Sequence, residues 1–201
     1  FCVESSLSGV GKTVGPDQEL WYTRTFTVPS AWKGEDVMLN FGAVDWKCTV
    51  WVNGVNVGGH TGGYTPFSLN ITPALKAKGE NMLVVRVFDP SDRGYQPRGK
   101  QVEHPNGIWY TPVTGIWQTV WLEPVAKQHI AGLRTTPDID RGTVTVAVER
   151  ACKAQPGTRS EVKVLDGGKV VATGSSLGDL PVEVAMPEGF ELWSPDSPKL
   201  Y

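Results

Sequence analysis

Between Gly94 and Gly115 the chain reads GYQPRGKQVEHPNGIWYTPVTG, and much of its hydrogen-bonding vocabulary is crowded there. Trp109 and Tyr110 are adjacent aromatics, Arg98 and Lys100 are cations, and Gln101, His104 and Asn106 carry amide or imidazole groups. Aromatic faces stack on sugar C–H groups, while amide, imidazole and guanidinium donors reach hydroxyls. That mixture suits a polyol ligand. The stretch also runs for about 20 residues without a clear strand pattern, and long structureless connections in compact domains are often functional. A rigid loop docked on a neighbouring domain fits the same residues. Both readings stay open, and they agree if the loop borders a pocket of that neighbour.

Elsewhere the chemical signals are weaker. Trp117 and Trp121 lie four apart in TGIWQTVWLE (114–123), a run that reads as one strand. Alternation then puts Ile116, Gln118, Val120 and Leu122 on one face and Trp117, Thr119 and Trp121 on the other. Both faces are mostly apolar, so core or interdomain packing is preferred over sugar stacking. Asp89-Pro90-Ser91-Asp92 reads as a turn, because Asp and Ser side chains bond nearby backbone amides; a calcium or pocket role for Asp89, Asp92 and Glu103 is the alternative. His60 and His129 are isolated, and no H-x-x-x-H spacing supports a metal. Ser5-Ser6-Leu7-Ser8-Gly9 lacks the nucleophile-elbow pattern. The glycines of VGGHTGGY (57–64) lack the Walker lysine and read as turn and bulge residues. Cys2, Cys48 and Cys152 show no CxxC spacing. Neither zinc nor a disulfide is expected, and Cys48 reads as a buried free thiol. No cofactor is implied.

The elements that must hold these residues are strands. Short alternating or β-branched runs recur at 20–28, 36–44, 47–53, 55–60, 66–71, 81–89 and 115–124, between Gly, Pro, Asn and Asp breaks, while helical periodicity is almost absent. Asn53-Gly54 between two such runs predicts a type I′ hairpin, since both residues accept positive φ. TPALKAKGEN (72–81) allows one short helical turn, with Thr72 as N-cap, Pro73 at N1 and Gly79 closing it. After EPVAKQ the strands turn shorter and Val-rich, at 129–137, 142–150, 160–167, 169–175 and 180–187, as in a sandwich of immunoglobulin type. Seven of the eight tryptophans precede residue 124. The expected division is therefore 1–124 and 125–201. About seven strands is usual for such a sandwich, and five are visible, so the second part is expected to be truncated within a longer polypeptide. The opening FCVES, without Met, points the same way.

Charge excludes some partners. Lys and Arg against Asp and Glu number 10 to 11 in residues 1–124 and 9 to 10 in 125–201, a net −2 overall, so neither nucleic acid nor an anionic membrane is an expected partner. No apolar run approaches the roughly 20 residues of a membrane span.

Taken in order, five tracts resemble the N-terminal part of family 2 glycoside hydrolases, the β-galactosidase, β-glucuronidase and β-mannosidase group. They are WYTRTFTVP (21–29), VDWKCTVWVNGVNVGGHTGGYTPFSLNIT (44–72), GENMLVVRVFDP (79–90), TGIWQTVWLEP (114–124) and LWSPDSPKLY (192–201). The resemblance implies an all-β chain: a jelly-roll sugar-binding domain, then an immunoglobulin-like β-sandwich. In full-length members a TIM barrel follows, carrying two carboxylates about 5–5.5 Å apart for retaining hydrolysis. This chain ends before such a barrel, so it is expected to be inactive alone, bracing the barrel and lending Arg98, Gln101, His104, Asn106, Trp109 and Tyr110 to a carbohydrate. The resemblance also implies a secreted or periplasmic protein. One departure stands out. Galactosidases and glucuronidases of the family commonly carry an Asp six positions before the glycine that opens the last strand; here that position is Trp109, which puts both specificities in doubt. A free-standing carbohydrate-binding module and a structural adhesion sandwich are the rival readings.

Overall fold

Period-two alternation dictates where the core forms. In Asp36–Phe41 every second side chain, Val37, Leu39 and Phe41, is buried, and in Lys47–Val52 the same holds for Cys48, Val50 and Val52. The structure, a computed structural model, describes residues 2–201 and is all-β, a multi-sheet sandwich architecture of jelly-roll and immunoglobulin-like type. It divides into two compact units, one reaching Val125 and the other spanning Ala126–Tyr201.

The first unit holds β1 (Glu19–Phe26), β2 (Asp36–Phe41), β3 (Val44–Asp45), β4 (Lys47–Val52), β5 (Val55–Thr61), β6 (Phe67–Asn70), β7 (Asn81–Phe88), β8 (Gly115–Ile116) and β9 (Val120–Val125). They form a four-stranded sheet β1-β7-β4-β5, a three-stranded sheet β6-β2-β9 and a two-stranded piece β3-β8, with antiparallel pairing throughout. The core is a continuous cluster drawn from both larger sheets: Val37, Leu39 and Phe41 from β2, Cys48, Val50 and Val52 from β4, Val85 and Val87 from β7, with Ile71 and Ala74 beside them. Phe41 is fully buried and stacks on Phe67 with ring centroids 4.7 Å apart. Fully burying an aliphatic or Phe side chain contributes about 1.5–3 kcal/mol, so this cluster dominates the unit's stability.

The β4–β5 hairpin turns on Asn53 (φ 52°) and Gly54 (φ 82°), both in the left-handed region that a type I′ turn needs. Asn53 also fastens neighbouring segments. Its Nδ2 donates to Ala74 O and to Asn81 Oδ1, each at 2.8 Å, and its Oδ1 accepts from Met82 N at 3.0 Å. The single helical turn is a short 3-10 element, Thr72–Ala74, capped by Ile71 and closed at Leu75. Thr72 is thus inside the turn rather than its N-cap, because its hydroxyl is taken by Val37 N at 2.7 Å.

The run 114–124 is two strands, not one. β8 ends at Ile116 and β9 starts at Val120, opposite the gap between β2 and β3. Gly42 N donates to Thr119 O at 2.9 Å, and Gln118 lies so close that a Cβ on Gly42 would sit 2.7 Å from its Cβ. The chain passes between sheets at this crowded point. Ile116, Val120 and Leu122 pack against the core as alternation requires. Trp117 lies between β8 and β9 while Trp121 lies in β9, so the two share no strand face; each remains 44% exposed, so neither belongs to the core of this unit.

The second unit contains β10 (Ile130–Asp138), β11 (Thr143–Arg150), β12 (Arg159–Asp166), β13 (Lys169–Leu177) and β14 (Val182–Ala185), arranged as a β10-β11-β14 sheet and a β12-β13 pair. Its buried hydrophobic side chains, among the described residues, are Val146, Val182 and Val184. An open cleft of about 890 Å³ runs past Val144, Val146, Val162, Val164, Phe190 and Trp193. Cys2, Cys48 and Cys152 are free thiols, and Cys48 is buried.

Candidate functional site

The 94–115 loop springs from a buried acid. Asp89 follows β7 and is 4% exposed; its Oδ1 accepts from Ser91 N at 2.9 Å and its Oδ2 from Thr114 Oγ1 at 3.2 Å. One carboxylate therefore closes the turn Asp89-Pro90-Ser91-Asp92 and ties the two ends of the loop together. Within the loop, Tyr110 N donates to Lys100 O at 2.7 Å and Val102 N to Tyr110 O at 3.0 Å, forming a small parallel bridge between Gln101 and Tyr110. Gln96 Nε2 donates to Ser91 O at 2.9 Å and Arg98 Nη1 to Asp92 O at 2.8 Å. A segment without strand periodicity is thus held by its own side chains, as functional surface loops often are.

The six residues singled out in this loop separate into different tasks. His104, Asn106 and Trp109 line one shallow cleft of about 420 Å³, together with Asp92, Arg93 and Glu103. Arg98 lies over the Trp109 ring, its Cζ 5.8 Å from the centroid, so the indole is held from one side and 39% exposed. Gln101 is occupied: its Oε1 accepts from Val113 N at 2.6 Å, a structural role. Tyr110 is 66% exposed and does not line the cleft. Arg93 and Glu103 pair at 3.4 Å across the cleft rim, an exposed contact of small energetic weight.

A second cluster lies beside the loop's end, around Asp45 and Tyr64, two residues to which the sequence pattern gave no role. Asp45, paired with Gly115, is 7% exposed. Burial, with Asp89 nearby, pushes its carboxyl up to about 7. The carboxyl fits only because residue 63 is glycine, since a Cβ there would lie 2.3 Å from Asp45 Oδ1. Gly63 O in turn accepts from Trp117 Nε1 at 2.8 Å, and the next residue, Tyr64, meets Trp117 edge-on at 6.1 Å and 71°. Tyr64 is half-exposed, and its phenol is pushed up by desolvation and by Asp45 and Asp89. Further back, Glu4 Oε1 accepts from Thr114 N at 3.0 Å, while Glu4 Oε2 and Ser91 Oγ are buried without partners among the described residues. The paired glycines 62–63 were the available signal, because they mark a close approach. His60 is accounted for by Thr65 Oγ1 at 2.9 Å and stacking on Phe67, and His129 by Ala126 O at 2.7 Å.

These features define an all-β accessory unit that displays an aromatic, amide-bearing loop at one end of a jelly-roll-type sandwich. Residues 11–123 match the family model "Glycosyl hydrolases family 2, sugar binding domain", and the chain belongs to glycosyl hydrolase family 2. It is 32% identical over 197 residues to a beta-glucuronidase of Paenibacillus borealis, covering 91% of this chain and 32% of that protein. With the beta-galactosidase BoGH2A of Bacteroides ovatus it shares 30% identity over 213 residues, covering 98% of this chain and 24% of that protein. The apo beta-glucuronidase of Ruminococcus gnavus has the same fold, with a TM-score of 0.70 at 22% identity over 96% of this chain and 33% of that one. The chain thus spans about a third or less of the length of these relatives.

Proposed function

We propose that this chain is the non-catalytic N-terminal portion of a secreted or periplasmic O-glycoside hydrolase, which braces a C-terminal TIM barrel and lends its 94–115 loop to the sugar. The observation that carries this reading is the display of Trp109. Its ring is held by Arg98, and the cleft beside it offers His104 and Asn106 as hydrogen-bonding groups. A preorganised aromatic with convergent polar groups is what a pyranose requires. The relatives' names, beta-glucuronidase and beta-galactosidase, support a β-glycoside substrate. Trp109 stands where the family resemblance implies an Asp, which supports a specificity other than galactoside or glucuronide.

The test uses the longer natural polypeptide and this 201-residue chain side by side. On a panel of 4-nitrophenyl β-glycosides the longer protein hydrolyses at least one, and this chain hydrolyses none. Trp109→Ala in the longer protein raises KM by about tenfold, the loss of one stacking contact worth roughly 1.4 kcal/mol, with kcat changed less. Unchanged KM and kcat would remove the loop from the substrate site.

A further inference from the structure

We propose that the outer face of the β1-β7-β4-β5 sheet, centred on Trp21, Trp51 and Arg86, is a platform for a neutral β-linked polysaccharide, whose pyranose rings lie on the two indoles while its hydroxyls meet the polar side chains around them. The platform is separate from the 94–115 cleft. It rests on the family reading above and adds to it a polymeric substrate.

Alternation assembles this face. In β7, Leu83, Val85 and Val87 turn to the core, so Met82, Val84 and Arg86 turn outward. Pairing aligns Trp21 with Arg86 and Thr49 in one row, and Thr23 with Val84 and Trp51 in the next. Trp21 and Trp51 stand on strands two apart, whose backbones are about 9.6 Å from each other at the usual spacing. Their ring centroids are nevertheless 5.8 Å apart and the rings lie within 17° of parallel, so the indoles lean over β7 toward each other. Arg86 fixes them there. Its Cζ is 5.9 Å from the Trp21 ring centre and 5.8 Å from that of Trp51, and its guanidinium reaches Glu19 at 3.7 Å and Thr49 Oγ1 at 3.4 Å. Trp21 remains 53% exposed and Met82 50%. Large rings held in place yet open to solvent, with a polar rim, mark an interaction surface.

The surroundings choose the ligand class. The rim is made of hydroxyls and an amide, from Thr23, Thr49 and, opposite Trp51 on β5, Asn56. A partner must therefore offer apolar faces and many hydroxyls together, which is the chemistry of a sugar. Glu19 offsets Arg86, so a neutral chain fits the centre of the face. No wall closes over the platform, since neither cleft described above is lined by Trp21, Trp51 or Arg86. A single sugar would be held from one side only, whereas a chain gains by touching both indoles at once.

The test is affinity electrophoresis of the 201-residue chain in gels containing hydroxyethylcellulose, pectic galactan or galactomannan, with polygalacturonate as the charged control. At least one neutral polymer is expected to retard the chain. Trp21→Ala and Trp51→Ala are each expected to weaken that binding about tenfold, the loss of one stacking contact. In the longer natural polypeptide, Trp21→Ala is expected to raise KM on the same polymer about tenfold, with KM on a 4-nitrophenyl β-glycoside not following. No retardation by a neutral polymer overturns the platform, as does retardation by polygalacturonate alone. Retardation indifferent to Trp21→Ala and Trp51→Ala but lost in Trp109→Ala puts the polymer on the loop and overturns it too. A matching loss on the 4-nitrophenyl glycoside in Trp21→Ala overturns it as well, because another domain then covers the face. Each of these results leaves the proposed function standing, since that is decided by hydrolysis of 4-nitrophenyl glycosides and by Trp109. Should Trp51→Ala fail to fold, Trp21→Ala, at a half-exposed position, decides alone.

Discussion

Asp45 makes the stability of the first unit depend on pH in a direction opposite to most paired carboxylates. Its ordinary value is 3.8, and burial with Asp89 nearby raises it to about 7 in the folded chain. The unfolded chain therefore releases this proton near pH 3.8, and the folded chain keeps it until about pH 7. Across that window the folded state binds more protons, so stability falls as pH rises, by up to about 1.4 kcal/mol per pH unit. Below the unfolded value no penalty applies; above about pH 7 the penalty is complete, at an upper limit of about 4 kcal/mol. Asp45→Asn keeps the shape and removes the charge. Urea unfolding of both proteins at pH 5 and pH 8, followed by tryptophan fluorescence, should show the variant gaining about 2–3 kcal/mol on the parent between the two pH values. Asp89 remains in both proteins, so its own titration largely cancels in the difference. If the two stability curves run parallel from pH 5 to pH 8, Asp45 is ionised throughout and its description as a desolvated acid is wrong.

Three further outcomes follow from packing. Asn53→Ala removes three hydrogen bonds and leaves a β-carbon residue at φ 52°, and should cost about 2–4 kcal/mol in denaturant unfolding. Phe41→Ala opens a cavity beneath Phe67 in a fully buried position and should cost about 3–5 kcal/mol by the same measurement. With Ellman's reagent under native conditions, exposed Cys152 should react within the mixing period, whereas Cys48, buried and with its thiol pushed up by desolvation, should react only as the first unit unfolds.

The strands were legible because their signal is local. Alternation in Asp36–Phe41 and Lys47–Val52, and Asn53-Gly54 between β4 and β5, needed no tertiary information. The break at Trp117–Thr119 was invisible for the opposite reason. Its cause is the close pass of Gly42 against Gln118, two residues far apart in sequence, while the local pattern of apolar residues runs on unbroken. The loop residues show the same limit. Their types announced a polar, aromatic surface, but Gln101 turned out to bond Val113 and Arg98 to brace Trp109, because internal backbone groups compete for the donors and acceptors that a ligand would use. Asp45 fell between the predicted strands 36–44 and 47–53 and carried no signal of its own. Only the fold sets it against Gly63 and near Asp89, and that placement is what perturbs it.

The cleft between the sheets of the second unit has a thermal consequence. Residues 126–201 keep only three hydrophobic side chains well buried among those described, against the continuous core of the first unit. Two units with cores so unequal are expected to melt at different temperatures. Scanning calorimetry should resolve two endotherms, and the dye ANS should brighten with the cooler one, reporting the valine-lined gap as it widens.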